Sequence, residues 1–494
     1  MEHYCKYDKN IVNIIKQFKP FNSQWSPSFL KKCSNLIAKI KTKTKTKTKK
    51  YDINSQHTEK YVPSLDSIKI VRDIFLNYET NKAIIDGSLK PEQVQLLVKL
   101  FETNVIKNRK DFYYLIGHLP FYHEVTKLIE KLMPLNSLLN IFISPIIDDW
   151  IVNNCDLKTS IDLTIDNQIH AHIDIIHNQS QSKTINSIIE IVTSTLCGII
   201  TLYGIKNPKK LNLVYIPTPF PKKINYFKNN SRLNRILISE LKKIKSINYN
   251  YTNFTNSISN LNVNSGVTVT YSQPSYNSQT SSKDSITIWR SEEFQKVLVH
   301  ELIHYYDLEK GTEFTLNESI HFNISNTYPH YSKEMFTELQ TWLVYSLINM
   351  SCCEQSLTTD DISYILNYER FYALFNICKF FRHYQITDFQ QFFVDNKKNN
   401  QHMINASSSI LYYYILKGVV LFNINPFIEK LLLPENKSHI SKKIHVTQNM
   451  IEHIEQCLQS NDLNTFINKL LTNMIDNDNN SLNMMGLHNF KNSV

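Results

Sequence analysis

The sequence predicts an α+β fold in which a small sheet supports one long helix and mainly helical regions flank that unit. Two observations predict this class. Between residues 140 and 290, several short segments alternate apolar and polar residues, which is typical of strands. Before and after that part, apolar residues recur at the three- and four-residue spacing of amphipathic helices. The 42% hydrophobic residues provide enough apolar surface for a buried core.

The first 60 residues are expected to hold a short helical piece and a basic low-complexity tract. The tract, residues 41–50, alternates Lys and Thr and with Lys39 supplies most of the formal net charge of +10. Because its charges repel, we expect it to be disordered and solvated, with weak binding to an acidic surface as the alternative. No specific nucleic-acid partner is expected, since the rest of the chain is nearly neutral.

Four segments follow from the change of pattern along the chain. They are an N-terminal segment (1–60), a helical region (61–139), a catalytic domain (140–350) and a helical C-terminal region (351–494). The clearest early helix is Pro91–Phe101, with Pro at its first position. Within the third segment we predict strands over 160–176, a helix over 187–203, and strands over 211–216, 267–271 and 286–289.

Cysteine usage and apolar segments indicate an intracellular, cytoplasmic protein. The eight cysteines follow neither a metal-binding spacing nor a disulfide framework, and the first residues lack an apolar signal core. The apolar segments 187–205 and 411–433 are interrupted by polar residues, so we expect no transmembrane helix and no membrane partner.

The motif that indicates a chemistry is H-E-x-x-H at residues 300–304. On a helix, His300 and His304 share one face and can both bind one zinc ion. Glu301 would then lie beside a water whose pKa zinc lowers from about 15.7 toward roughly 7, and it can take the proton from that water. The alternative is a buried helix whose two histidines are core residues.

The residues around the motif favour a helix that follows a strand. The segment 286–289 alternates like a strand, and its edge could pair with an extended peptide. We expect Ser291 to cap the helix, Glu292 and Glu293 to lie in its first turn, and Gly311 to follow its end.

A catalytic zinc needs a third protein ligand. The metzincin pattern is excluded, because Asp307 and Lys310 stand where that class has Gly and His. Glu334 and Glu338 share one face of a helix predicted over residues 333–350, so one can bind the metal while the other contacts a ligand. Glu318 is a third candidate.

Residues 334–338, Glu-Met-Phe-Thr-Glu, resemble the E-x-F-A-E helix of gluzincins such as the anthrax lethal factor group. That resemblance implies that Glu334 is the third ligand. Asp307 extends the motif to H-E-x-x-H-x-x-D, the form found in the same group, and this resemblance implies that Asp307 orients a ligand by a hydrogen bond. The Asn-Glu pair at Glu318 is similar to thermolysin-type enzymes, but its spacing from His304 is too short for them.

A wider resemblance, over residues 262–348, is to zincin-like metallopeptidases of giant DNA viruses. It implies a zincin-like unit, and a location in the host cytoplasm or in the virion. The composition, rich in Asn, Ile and Lys, is compatible with that origin.

The function expected is zinc-dependent hydrolysis of peptide bonds in a peptide or protein substrate. Glu301 is the expected general base, and Tyr331 the expected donor to the developing oxyanion, ahead of its neighbours Tyr328 and His330. Two alternatives stay open. One is a catalytically silent, zinc-stabilised structural or virion-associated protein, and the other is a binding module in which the motif is accidental.

Overall fold

The computed structural model describes the larger part of the chain. It describes residues 25–47, 51–61, 89–103, 145–222, 263–269, 284–317, 320–326, 332–353, 355–393, 404–406, 410–424, 438–442 and 446–473, with single residues or short pieces between 72 and 85, 105 and 106, 124 and 128, 235 and 240, and at 428.

A six-stranded mixed sheet lies at the centre of the described structure. Its strands are β1 (Tyr51–Lys60), β2 (Leu157–Ile165), β3 (Ile169–His177), β4 (Leu211–Tyr215), β5 (Gly266–Val269) and β6 (Ser285–Ile288). They lie in the order β1-β2-β3-β4-β6-β5, with β3, β4 and β6 parallel and the other pairs antiparallel. A separate short pair joins β7 (Ile324–Asn326) to β8 (Ile404–Ala406).

The helices account for the rest of the regular structure. They are α1 (Pro27–Lys47), α2 (Pro91–Glu102), α3 (Pro145–Asn154), α4 (Ile185–Tyr203), α5 (Phe294–Tyr305), α6 (Lys333–Ser351), α7 (Thr359–His383), α8 (Lys417–Phe422), α9 (Gln448–Leu458) and α10 (Asn461–Asn473). A π-helix, Leu411–Leu416, runs directly into α8, and 3₁₀ turns occupy Gln179–Thr184 and Phe389–Phe392. The predicted α+β class is therefore confirmed.

The two faces of the sheet differ because side chains alternate along each strand. Ile161, Leu163 and Ile165 of β2 are buried in the main core with α4 and α5. The residues between them are polar, and on this face Asp162 contacts His172 of β3 at 3.1 Å. One cluster of buried apolar residues extends from Trp25 to Leu471, and it joins the sheet to helices that precede and follow it in the sequence. The four predicted segment boundaries stay a prediction.

Helix α4 is the long apolar helix of the core. The segment Gln179–Tyr203 is the one stretch among the described residues that is long and apolar enough to span a membrane, and 67% of its most apolar window is buried inside the fold. Burial against the sheet and α5 explains the apolar composition. Gly204 ends α4 in the left-handed conformation, at φ 59°, a frequent helix stop.

The basic tract differs from its prediction. Residues 41–47 continue α1 instead of being disordered, while residues 48–50 lie outside the described residues. The reason is tertiary packing, because Phe29, Cys33 and Ile40 of the same helix are buried in the main core. In addition, the ammonium of Lys41 donates to the carbonyl of Cys353 at 2.6 Å.

The turn before α5 also differs from its prediction. Ser291 is not the helix cap, because α5 begins at Phe294 after Glu293, whose φ of 58° is left-handed. The Ser291 hydroxyl donates instead to the carbonyl of Thr218 at 2.8 Å. Gly311, at φ 86°, lies six residues beyond the end of α5 and so follows a separate run of turns.

Candidate metal centre

Helices α5 and α6 pack against each other and carry the residues of the predicted site. Strand β6 leads into α5, which is almost fully buried between the sheet and α6. His300 and His304 lie one turn apart on α5 and face the first turn of α6, where Glu334 lies. The predicted helices and their relative placement are thus present.

Three ligand atoms converge between these helices. The Nε2 atoms of His300 and His304 are 3.1 Å apart, and Oε2 of Glu334 lies 3.3 Å from Nε2 of His304 and 3.6 Å from Nε2 of His300. Ligand atoms about 2.0–2.1 Å from one tetrahedral zinc ion lie roughly 3.3 Å apart, which is close to these separations. The three residues form a group that could hold a metal ion.

The electrostatics at this point also favour a cation. Glu334 Oε2 is buried without a hydrogen-bond partner among the described residues. Burial alone would raise the pKa of Glu334, but His304, His300 and Lys333 outweigh burial and lower that pKa. Burial likewise disfavours the charged form of His304, yet Glu334 and Glu309 outweigh it and raise the pKa of the imidazole well above its usual range. Positive charge between these ligands is therefore stabilised.

Each histidine has a carboxylate behind it. His304 Nδ1 lies 2.8 Å from Oε1 of Glu309, and His300 Nδ1 lies 2.7 Å from Oε1 of Glu338. The contact of Glu309 is a hydrogen bond, which fixes the orientation of the His304 ring and leaves its Nε2 as the atom that can bind a metal. The contact of Glu338 with His300 lies outside hydrogen-bond geometry, and the two Nε2 atoms face each other at 3.1 Å.

The prediction that Asp307 orients a ligand is wrong. Helix α5 ends at Tyr305, and Asp307 adopts a left-handed φ of 52°. Its side chain is 66% exposed and lies 3.6 Å from the ammonium of Lys310. The chain then turns back, and Glu309 contacts His304 instead. No signal in the sequence distinguished these two acids, because a turn and not a helix sets their directions.

Glu338 lies behind the site instead of in the group of three ligands. It is fully buried, and its Oε1 lies 2.6 Å from Nζ of Lys296 while its Oε2 lies 3.1 Å from Nζ of Lys417. Burial would raise the pKa of Glu338, but the two ammonium groups outweigh it and hold that pKa well below its usual range. Glu338 therefore carries a negative charge that supports His300. Glu318 lies outside the described residues.

Glu301 points toward strand β5. The hydroxyl of Thr268 donates to Oε2 of Glu301 at 2.7 Å and lies 3.0 Å from the Glu301 backbone carbonyl. Glu301 is 6% exposed and lines the same cavity as the three ligands. A buried carboxylate held by Thr268 thus lines the cavity that the three candidate ligands also line.

The ligands and Glu301 open onto one cavity of about 570 Å³. Tyr413, from the π-helix, lines it with its ring centroid 6.0 Å from that of His300. Lys209 also lines it, with its ammonium over the ring of Tyr305. Tyr413 is far from the motif along the chain, and no pattern in the sequence indicated it. The predicted Tyr331, with Tyr328 and His330, lies outside the described residues.

Comparison with protein-family models, with curated proteins and with solved structures finds no match for this chain. A function for this chain is therefore inferred from the residues of the site and their geometry.

Proposed function

We propose that the chain is a zinc-dependent metallopeptidase of the gluzincin type. The observation that carries the proposal is the convergence of His300 Nε2, His304 Nε2 and Glu334 Oε2 in the cavity that also holds the Glu301 carboxylate. Imidazole and carboxylate ligands in this number are typical of catalytic zinc, which keeps a further position open, whereas structural zinc has four protein ligands. The likeness to zincin-like metallopeptidases of giant DNA viruses is part of the same proposal.

The chain's own residues would divide the chemistry among them. His300, His304 and Glu334 would hold the ion, which when bound polarises a carbonyl group and makes water a nucleophile near neutral pH. Glu301 would take a proton at its carboxylate and later deliver it to the leaving amine. Glu309 would keep the His304 imidazole in the orientation that binds metal, and the negative charge of Glu338 beside His300 would favour a cation at the site.

Strand β5 supports a peptide as the substrate. Among the described strands it is the last of the sheet, beside β6, and three of its residues line the cavity. The Trp289 N–H donates to the Ser265 carbonyl at 2.9 Å, so pairs with and without hydrogen bonds alternate from there along β5. In this alternation, the backbone groups of Gly266 and Thr268 point away from β6. An extended peptide could bind them as an added strand.

The strand at the edge of the described sheet is therefore not the one that the sequence predicted. Residues 286–289 were expected to offer an edge to a peptide, but β6 lies between β4 and β5 and has neighbours on both sides. The neighbouring strand, predicted over 267–271 and present as Gly266–Val269, is the edge beside the cavity.

Replacement of Glu301 by Gln tests the proposal. The amide has nearly the shape of the carboxylate but cannot take a proton, so Glu301→Gln should lower cleavage of a fluorogenic peptide mixture at least about 100-fold. Its zinc content, measured on the same sample, should match that of the wild type. Zinc in the wild type without cleavage would favour the structural or virion-associated alternative, and a protein that binds no zinc would contradict both.

A further inference from the structure

Two residues of β5 enclose the Glu301 carboxylate. We propose that Thr268 and Gly266 position Glu301 for proton transfer, a role that rests on the proposed peptidase function. Residues two apart on a strand face the same side, and here that side faces α5. Neither residue belongs to the H-E-x-x-H motif, and both are more than thirty positions before it.

Thr268 holds one oxygen of the carboxylate. Its hydroxyl has a single proton and two acceptors nearby, Oε2 of Glu301 at 2.7 Å and the Glu301 carbonyl at 3.0 Å. The charged and nearer acceptor forms the stronger bond. Because Glu301 is buried, few other donors compete for that oxygen, and the bond fixes the rotation of the carboxylate about its last torsion.

Gly266 bounds the other oxygen. A Cβ atom at this position would lie 2.9 Å from Oε1 of Glu301 and 2.8 Å from Cγ1 of Val297. Both separations are shorter than ordinary van der Waals contact, so a side chain at this position would displace the Val297 or the Glu301 side chain. The close approach brings the Thr268 hydroxyl within hydrogen-bond distance of Glu301.

The arrangement separates base positioning from substrate binding. The Thr268 side chain and the Cα atom of Gly266 face Glu301, while the backbone groups of both residues point to the edge that no other described strand covers, where a peptide would pair. A change confined to the Thr268 hydroxyl should therefore alter kcat and leave KM nearly unchanged. A residue with a merely structural role would not produce that division.

The test compares Thr268→Val, which keeps the shape and loses the hydroxyl, with Thr268→Ser, which keeps the hydroxyl. On the best substrate from a fluorogenic peptide mixture, Thr268→Val should lower kcat about 10- to 100-fold with KM within about twofold of wild type. Thr268→Ser should restore most of the rate. Zinc content should equal that of the wild type in both.

A second measurement uses metal-free protein and no substrate. In a double-mutant cycle of Thr268→Val and Glu301→Ala, the unfolding equilibrium should show a coupling of about tenfold between the two positions. Cleavage by Thr268→Val at the wild-type rate, or additive effects in the cycle, would overturn the positioning role alone. A zinc-loaded wild type that cleaves no peptide would overturn the peptidase function, and this proposal with it.

Discussion

Glu309 and Asp307 show how a single turn decides which carboxylate supports a metal ligand. Glu309 is buried and lies 2.8 Å from Nδ1 of His304, while Asp307 is mostly exposed. Burial would raise the pKa of Glu309, but contact with His304 outweighs it and lowers that pKa. The acid behind His304 is therefore ionised and available to orient the ring.

Replacement of Glu309 should weaken metal binding. Loss of the group that orients a histidine ligand typically costs about 10- to 100-fold in affinity, so Glu309→Ala should bind zinc that much more weakly in competition with a chelator. Asp307→Ala is the matched control and should bind zinc as the wild type does. Equal weakening by both variants, or none by Glu309→Ala, would show that Glu309 does not support His304.

The sequence predicted which residues form the candidate metal group but not all of their contacts. His300 and His304 lie together because helical spacing places residues one turn apart on one face, and the packing of α5 against α6 brings Glu334 to them. Contacts between segments that are far apart in the sequence leave no pattern in the local sequence. Examples are the ion pair of Lys417 with Glu338 and the hydrogen bond from Thr268 to Glu301. Asp307 was misassigned because the helical pattern was extended past the point where α5 ends.

The start of α5 is fixed by the loop after β4. Arg290 is fully buried and donates to the carbonyls of Phe220 and Pro221 at 3.1 and 2.7 Å. The backbone N–H of Lys222 donates to Oε2 of Glu292 at 2.8 Å, and the Lys222 ammonium lies 3.4 Å from Oε2 of Glu293. These contacts tie the loop to the turn from which α5 begins.

Lys222 should make stability rise with pH in the alkaline range. Burial lowers its pKa to about 8, against the partial opposition of Glu293. The unfolded chain keeps this proton up to about pH 10.4, so between those values it binds more protons than the folded protein. Deprotonation therefore favours the folded state. Between pH 8 and 10 the wild type should gain about 2 kcal/mol of unfolding free energy relative to Lys222→Met.

Denaturant titrations of both proteins across that range measure the difference. Other titrating groups are common to the two chains and cancel in the comparison. Parallel curves for wild type and Lys222→Met, with no change in their separation, would show that the Lys222 ammonium is not destabilised by burial.

The strands and the helix whose apolar residues recur at a regular spacing were predicted well. Strands over 160–176 and 211–216 and the helix over 187–203 are present within a few residues, because alternation and helical spacing are local properties. The position of β5 at the edge of the sheet could not be read from that pattern. Strand order depends on which residues the intervening segments bring together, and β5 and β6 are alike in length and composition.

Over the whole molecule, the N-terminal helix is joined to the unit that carries the site. Trp25, just before α1, is 4% exposed, and its ring stacks 5.0 Å from that of Phe29 and 6.2 Å from that of Trp342 in α6. The guanidinium of Arg370 in α7 lies 5.0 Å from the same ring. The N-terminal segment, for which the sequence predicted a short helical piece and a basic tract, thus packs directly on the helix of Glu334.

Replacement of Trp25 should destabilise the fold as a whole. Removal of a buried Trp side chain leaves a cavity and costs about 3–5 kcal/mol, so Trp25→Ala should lower the unfolding free energy by that amount. Ile53→Ala, at a position 42% exposed on β1, is the control and should change it by less than about 0.5 kcal/mol. Denaturant unfolding measures both. Equal small effects would mean that the N-terminal helix does not share the core.

The most direct test is zinc content per chain for wild type, Glu334→Gln and Glu318→Gln, each dialysed against the same low concentration of free zinc. We expect one zinc per chain in wild type and in Glu318→Gln, and a loss of at least about tenfold in affinity for Glu334→Gln, because an amide is a poorer ligand than a carboxylate. Full zinc content in Glu334→Gln, or its loss in Glu318→Gln, would contradict the assignment of His300, His304 and Glu334 as the metal site.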